Sequence, residues 1–264
     1  MLSKKTIELI YKQYHSPRYL GLDPLVCVRR FSDSASREIV GLFSAALAYG
    51  RVETVVRDIN GLIDGVMGGA PVAFVRQVSY KEKRRLLTGF KHRFNDGEDI
   101  AALLEAVSSV IGRYGSLGSC FSECLARSDC RFRGALTSFT DELKGALNDD
   151  KSTRDALRPS FEYLIPSPSR GSACKRMALY LRWMVRKDDG IDLGVWKGVP
   201  ASILMVPVDT HVAQIAKHYG LTTRNSADWK MAEEITAALR KFDPEDPVRF
   251  DFSLCHAGMV SYRS

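Results

Sequence analysis

The sequence predicts an all-α protein, and three observations carry the prediction. Apolar residues recur at i, i+3, i+4, i+7 and i+8 along most of the chain, the spacing that gathers them on one face of an α-helix. Alternating apolar and polar residues, the mark of a half-buried strand, are almost absent. The runs are punctuated as helices are, with Asp or Ser ahead and Gly or Pro behind. Composition is compatible with a packed core: 264 residues, 45% hydrophobic and 26% charged, are enough for one large or two small globular domains and too apolar for a disordered chain.

The elements follow in order. Residues 1–20 interleave charges with apolar side chains and hold no continuous apolar stretch, so they do not read as a secretory signal, and no segment approaches a membrane span. With six cysteines and no export signal, the expectation is a cytoplasmic protein with reduced thiols and no membrane partner. Ile39, Leu42, Phe43, Ala46 and Leu47 mark one helix, capped by Asp33 or Ser34 and ended by Gly50. Val52, Val55, Val56, Ile59, Ile63 and Val66 mark a second, stopped by Gly68, Gly69 and Pro71. A third runs through Ile100, Leu103, Leu104, Val107 and Ile111 after the Asp96-Gly97 turn. Further helices are expected near 131–147, 173–187, 209–219, 226–241 and 247–257. Cys120, Cys124 and Cys130 cluster, but their spacing fits no zinc pattern, and no metal or other cofactor is expected. The expected division is a helical core of residues 33–189 and a second lobe built from 1–32 and 190–264.

Two proline-bearing junctions, 158–171 and 188–208, adjoin the residues that could carry chemistry. The first runs through Ser169, Arg170, Gly171 and Ser172 into a helix, and a turn opening a helix offers free backbone N–H groups to a phosphate. Ser172 could equally be that helix's cap. Lys175 falls in the first turn, where the helix dipole and Arg176 disfavour another cation, and a neutral lysine is a nucleophile. A lone helical lysine is usually a solvated surface charge. Asp209, in "PVDTHV", needs only N-capping to explain it, yet a carboxylate held there could also stabilise positive charge on a sugar or take a proton from an amine. The formal charge of +7 raises the prospect of a polyanionic partner.

A hairpin leading to a helix-start lysine, followed by "PVDTHVAQIAKHYGL", resembles the helix-hairpin-helix DNA glycosylase/lyase superfamily. Residues 250–259 (FDFSLCHAGM) resemble the helix that follows in that family, and residues 36–56 its early core helix. The chain lacks the Leu-Pro-Gly-Val-Gly hairpin, and 34 positions separate Lys175 from Asp209. In both respects its layout is most similar to the archaeal 8-oxoguanine DNA glycosylases. The four-cysteine iron–sulfur loop of some relatives is absent after residue 259. As a whole the sequence is also similar to a family of bacterial proteins.

The resemblance implies a two-lobed helical fold with a modified helix-hairpin-helix. Lys175 would be the Schiff-base lysine and Asp209 the catalytic aspartate; Lys187, at a helix end before Asp188, is the rival lysine. Nucleic-acid contacts would come from Arg51, Ser169, Arg170, Gly171, Ser172, Arg182 and His211. Arg182 and Arg186, seven and eleven residues beyond Lys175, share its helix face and could meet phosphates or pair with acids. The implied activity is that of a monomeric glycosylase with AP-lyase activity, which removes a damaged base, an oxidised purine such as 8-oxoguanine, from double-stranded DNA through a lysine Schiff base. A non-catalytic DNA- or RNA-binding module and a monofunctional glycosylase using an Asp209-activated water are the alternatives.

Overall fold

The computed structural model describes residues 2–148 and 153–261, and the fold is all-α. Two compact units divide it: residues 22–167, and residues 1–21 together with 168–264.

In the chain order of helices, α1 (Lys4–Tyr14) belongs to the second of these units and α2 (Leu25–Val28) opens the first. Then come α3 (Ser34–Ala46), α4 (Val52–Asn60), α5 (Pro71–Gln77), α6 (Tyr80–Leu86), α7 (Gly97–Tyr114), α8 (Leu117–Arg127), α9 (Phe132–Asn148) and α10 (Pro159–Leu164). Asp33 caps α3 by accepting from the Ser36 N–H at 2.7 Å, a bond of about 1 kcal/mol, and its predicted apolar face is wholly buried. The run predicted as one helix over 52–66 is interrupted: α4 passes into a π-turn at Gly61–Val66, where two glycines weaken the α-helical ladder. The 18-residue α7 is the central element, capped by an Asp96–Asp99 box and packed on α8 and α9. The periodicity did not single out α8, a short helix; its Leu117, Cys120, Phe121 and Cys124 face the core, so two of the clustered cysteines are packing residues. Among the described residues the only paired strands are β1 (Lys91–His92) and β2 (Asn95–Asp96).

The second unit adds α11 (Lys175–Val185), α12 (Thr210–His218), α13 (Trp229–Arg240) and α14 (Asp251–Ser261). α14 is its hub, packing against both α1 and α12. Tyr180, Trp183 and Trp229 are buried, and every residue of α11 from Arg176 to Val185 is buried too. The expected boundary at 189–190 is therefore corrected to 167–168, and the N-terminal one from 32–33 to 21–22. The physical reason is that α11 is tied by ion pairs to Asp189, Asp192, Asp246 and Asp251, all on the C-terminal side. Lys175 thus shares a unit with Asp209. No single helix among the described residues is long and apolar enough to cross a membrane.

Candidate active site

The turn before α11 is set by its backbone. Pro168–Arg170 form a single 3-10 turn, and Gly171 follows at φ +77°, a left-handed conformation that glycine adopts without a Cβ clash. Gly171 and Ser172 are pinned to the start of α13 by an isolated bridge to Asp228 and a bond from the Trp229 N–H to the Gly171 carbonyl. Ser172 does not cap α11: its hydroxyl oxygen accepts from the Cys174 N–H at 3.1 Å. Cys174 is itself the N-cap, buried, at φ +48° and without a side-chain cap bond. A left-handed non-glycine residue costs on the order of 1 kcal/mol, so the direction in which α11 leaves the turn is imposed by its surroundings. Ser169, Arg170, Gly171 and Ser172 are all exposed.

Lys175 is the first residue of α11, and its side chain is 34% exposed. Facing it is Asp209, held at the start of α12 by extended residues whose Val206 and Val208 are buried. One carboxylate oxygen, Oδ1, accepts from the Val212 N–H at 2.8 Å and caps α12. The other, Oδ2, lies 3.4 Å from Lys175 Nζ and 3.8 Å from His211 Nδ1. One aspartate therefore serves as helix cap and as the carboxylate opposite an amine, through different oxygens. α12 is fixed by close packing on α14: a Cβ on Gly258 would stand 3.3 Å from the His211 carbonyl oxygen. The ensemble is a half-buried amine and carboxylate, open to solvent, with an imidazole 44% exposed at the edge. Such a pair can exchange a proton and place a carboxylate beside a developing cation.

Arg182 does not meet solvent phosphates. It is 2% exposed, with Nε bonded to Asp192 Oδ1 at 3.1 Å and Nη1 to Asp251 Oδ2, so its expected role as a nucleic-acid contact is corrected to a buried structural pair. Arg186, also 2% exposed, continues the network to Asp192, to Asp246 at 2.8 Å and to Asp189 at 3.1 Å, and Asp189 meets His15 at 2.9 Å. Burial raises the Asp251 carboxyl to about 6 despite Arg182, with the charges of Asp209 and Asp192 adding to the rise. Burial also works on Asp189, but its bond to His15 and the charge of Arg186 hold it well below the usual carboxylate range.

The structure brings Lys175, Asp209 and His211 together and sets the 169–172 turn directly ahead of the lysine. Lys187 lies exposed beyond the C-cap of α11. Arg51 is in the other unit, exposed, as the N-cap of α4. Asp192 and Asp251 were not singled out in the sequence. The signal was there: each is an acid set between large apolar neighbours, Ile191 and Leu193 in one case, Phe250 and Phe252 in the other. Among the described residues no group of three or more His, Cys, Asp or Glu side chains is placed to hold a metal ion.

One family model matches the chain over residues 23–260, all but its first 22 and last four residues, and is described as protein of unknown function (DUF2400). The chain belongs to the DUF2400 family. The match spans the turn, Lys175 and Asp209, so the whole candidate site lies within the DUF2400 region. No curated protein and no solved structure matches the chain.

Proposed function

We propose that this DUF2400 protein is a base-excision DNA glycosylase with lyase activity, in which Lys175 is the nucleophile and Asp209 its carboxylate partner. The observation that supports the reading is the 3.4 Å approach of Lys175 Nζ to Asp209 Oδ2, from two helix starts 34 positions apart. The target nucleotide leaves the stack, because the glycosidic bond cannot be reached inside a duplex. Asp209 takes a proton from the ammonium of Lys175, and the amine attacks C1′ as the bond to the base breaks. The proton held by Asp209 passes to the departing base, and the restored carboxylate stabilises positive charge on the sugar. The sugar ring opens as its oxygen takes a proton from the newly attached nitrogen, leaving a Schiff base on Lys175; Asp209 then accepts a 2′ proton and the 3′ phosphate leaves. The exposed turn at 169–172, directly ahead of Lys175, is where a strand phosphate would lie. An oxidised purine such as 8-oxoguanine is the substrate to try first, on the strength of the sequence resemblance.

The test is borohydride trapping on duplexes carrying 8-oxoguanine, oxidised pyrimidines, uracil or an abasic site. A cross-link on one lesion, lost in Lys175→Gln, is the expected result. Base release without a cross-link would replace it by a glycosylase that uses an Asp209-activated water. Neither release nor cross-link on any duplex would refute excision and leave Asp209 a cap.

A further inference from the structure

Residues 91–96 form a two-stranded ribbon whose turn is Arg93-Phe94. So tight a turn favours Asn and Gly, which tolerate positive φ. Here Arg93 takes φ +52°, and Phe94 is 64% exposed. Both choices run against stability, which directs attention to what the tip presents.

The tip is braced from below. His92 is buried and bonds Asp58 Oδ2 at 2.7 Å and the Tyr49 carbonyl at 3.1 Å through its two ring nitrogens. The Tyr49 hydroxyl donates to the His92 carbonyl at 3.1 Å, and buried Asn95 donates to Asp99 and to the Ser160 carbonyl. Above this base three rings meet. Tyr49 and Phe94 lie within 5° of parallel, with centroids 6.4 Å apart. Tyr163, 43% exposed, meets Tyr49 at 84° and 5.2 Å and Phe94 at 80° and 5.7 Å. Three cations lie within three residues of Tyr49 or Phe94 along the chain. The Arg93 guanidinium sits 5.8 Å from the Phe94 centroid, and its side chain lies against Gly50, next to exposed Arg51; Lys91 is exposed on the ribbon itself.

A fixed, water-exposed aromatic surface bordered by cations suits a flat heteroaromatic ring with phosphates on either side, because every nucleobase has a face to stack and a backbone to neutralise. A quaternary ammonium ligand also seeks exposed aromatic rings, but the three cations repel it. We propose that the Tyr49–Phe94–Tyr163 patch binds an unpaired nucleobase of a nucleic-acid strand by stacking, with Arg51, Lys91 and Arg93 engaging the neighbouring phosphates. It goes beyond the excision reading and uses none of its residues except Arg51.

Fluorescence anisotropy with a labelled single-stranded oligothymidine and a fully paired duplex tests it. Phe94→Ala, at an exposed position that leaves the fold intact, should weaken oligothymidine binding on the order of tenfold and leave duplex binding within twofold. Phe94→Trp should retain wild-type affinity. Unchanged affinity in Phe94→Ala, or no binding of oligothymidine by the wild type, would overturn the proposal. So would a wild-type dimer in light scattering that Phe94→Ala dissociates, since the patch would then be a self-contact. Phe94-dependent binding with neither base release nor a borohydride cross-link in the wild type would uphold the patch and refute excision alone.

Discussion

Asp209 carries two separable duties, and two substitutions separate them. Asn caps a helix about as well as Asp, so Asp209→Asn keeps the bond to the Val212 N–H and loses only charge. The lost charge is one half of an ion pair with side chains 34% and 17% exposed, worth about 0–1 kcal/mol, together with a few tenths from the helix dipole. Asp209→Ala removes the cap as well, a further loss of about 1 kcal/mol. At about 2–4 °C per kcal/mol for a chain of this size, Asp209→Asn should melt within about 4 °C of wild type, and Asp209→Ala about 2–4 °C lower again. Activity should split differently. Both variants lose the carboxylate opposite Lys175, so the borohydride-trapping rate should fall by about 10²-fold or more in each. Thermal unfolding by circular dichroism and single-turnover trapping are the assays. Equal melting of the two variants would refute the cap assignment, and a wild-type trapping rate in Asp209→Asn would reduce the carboxylate to a cap.

Arg182→Met should destabilise by about 3–5 kcal/mol, because it leaves Asp192 and Asp251 buried with one fewer cation. The loss should be smaller at pH 5 than at pH 8, where Asp251 is ionised; a stable variant with weakened DNA binding would return Arg182 to the nucleic-acid contacts. Carbon-13 titration of the Asp251 carboxyl should show a midpoint near the value of about 6 that burial imposes. Its folded value lies above the ordinary 3.8, so the folded state holds this proton more tightly. The associated stability, about 3 kcal/mol, is present below about pH 4 and lost as pH rises through about 6; denaturant unfolding across that window checks the sign.

Helix existence was legible where periodicity was long. The faces of α3 and α7 and the cap Asp33 follow directly from spacing and capping chemistry, whereas Asp96, read as part of a turn ahead of the helix, is the cap of α7 itself. What was hidden depended on partners distant in sequence. Arg182 and Arg186 look like surface cations on a helix, and only the arrival of Asp192, Asp246 and Asp251 makes their burial tolerable. That network also moved the division between units, since α11 follows its ion pairs. The pairing of Lys175 with Asp209 came from resemblance, because no local rule joins two helix starts so far apart. The aromatic tip was unreadable for a related reason: Tyr49, Phe94 and Tyr163 lie on three separate segments, and "KHRFND" contains none of the usual turn residues at its centre.

The unit built from residues 1–21 and 168–264 has a consequence for biosynthesis. α1 packs on α14, and 237 positions separate Tyr14 from Asp251. At ordinary ribosomal speeds α1 must wait on the order of 10–50 seconds for its partner. The continuous stretch 22–167 can complete its own core in that interval. Meanwhile Ile7 and Ile10, buried in the finished protein, have no surface to cover them, and Lys4, Lys5 and Lys12 keep the opposite side of that helix hydrated. α1 is thus secured only when α14 arrives, and a ribosome that stalls before α14 releases a chain whose stretch 22–167 can be folded while α1 still lacks that partner.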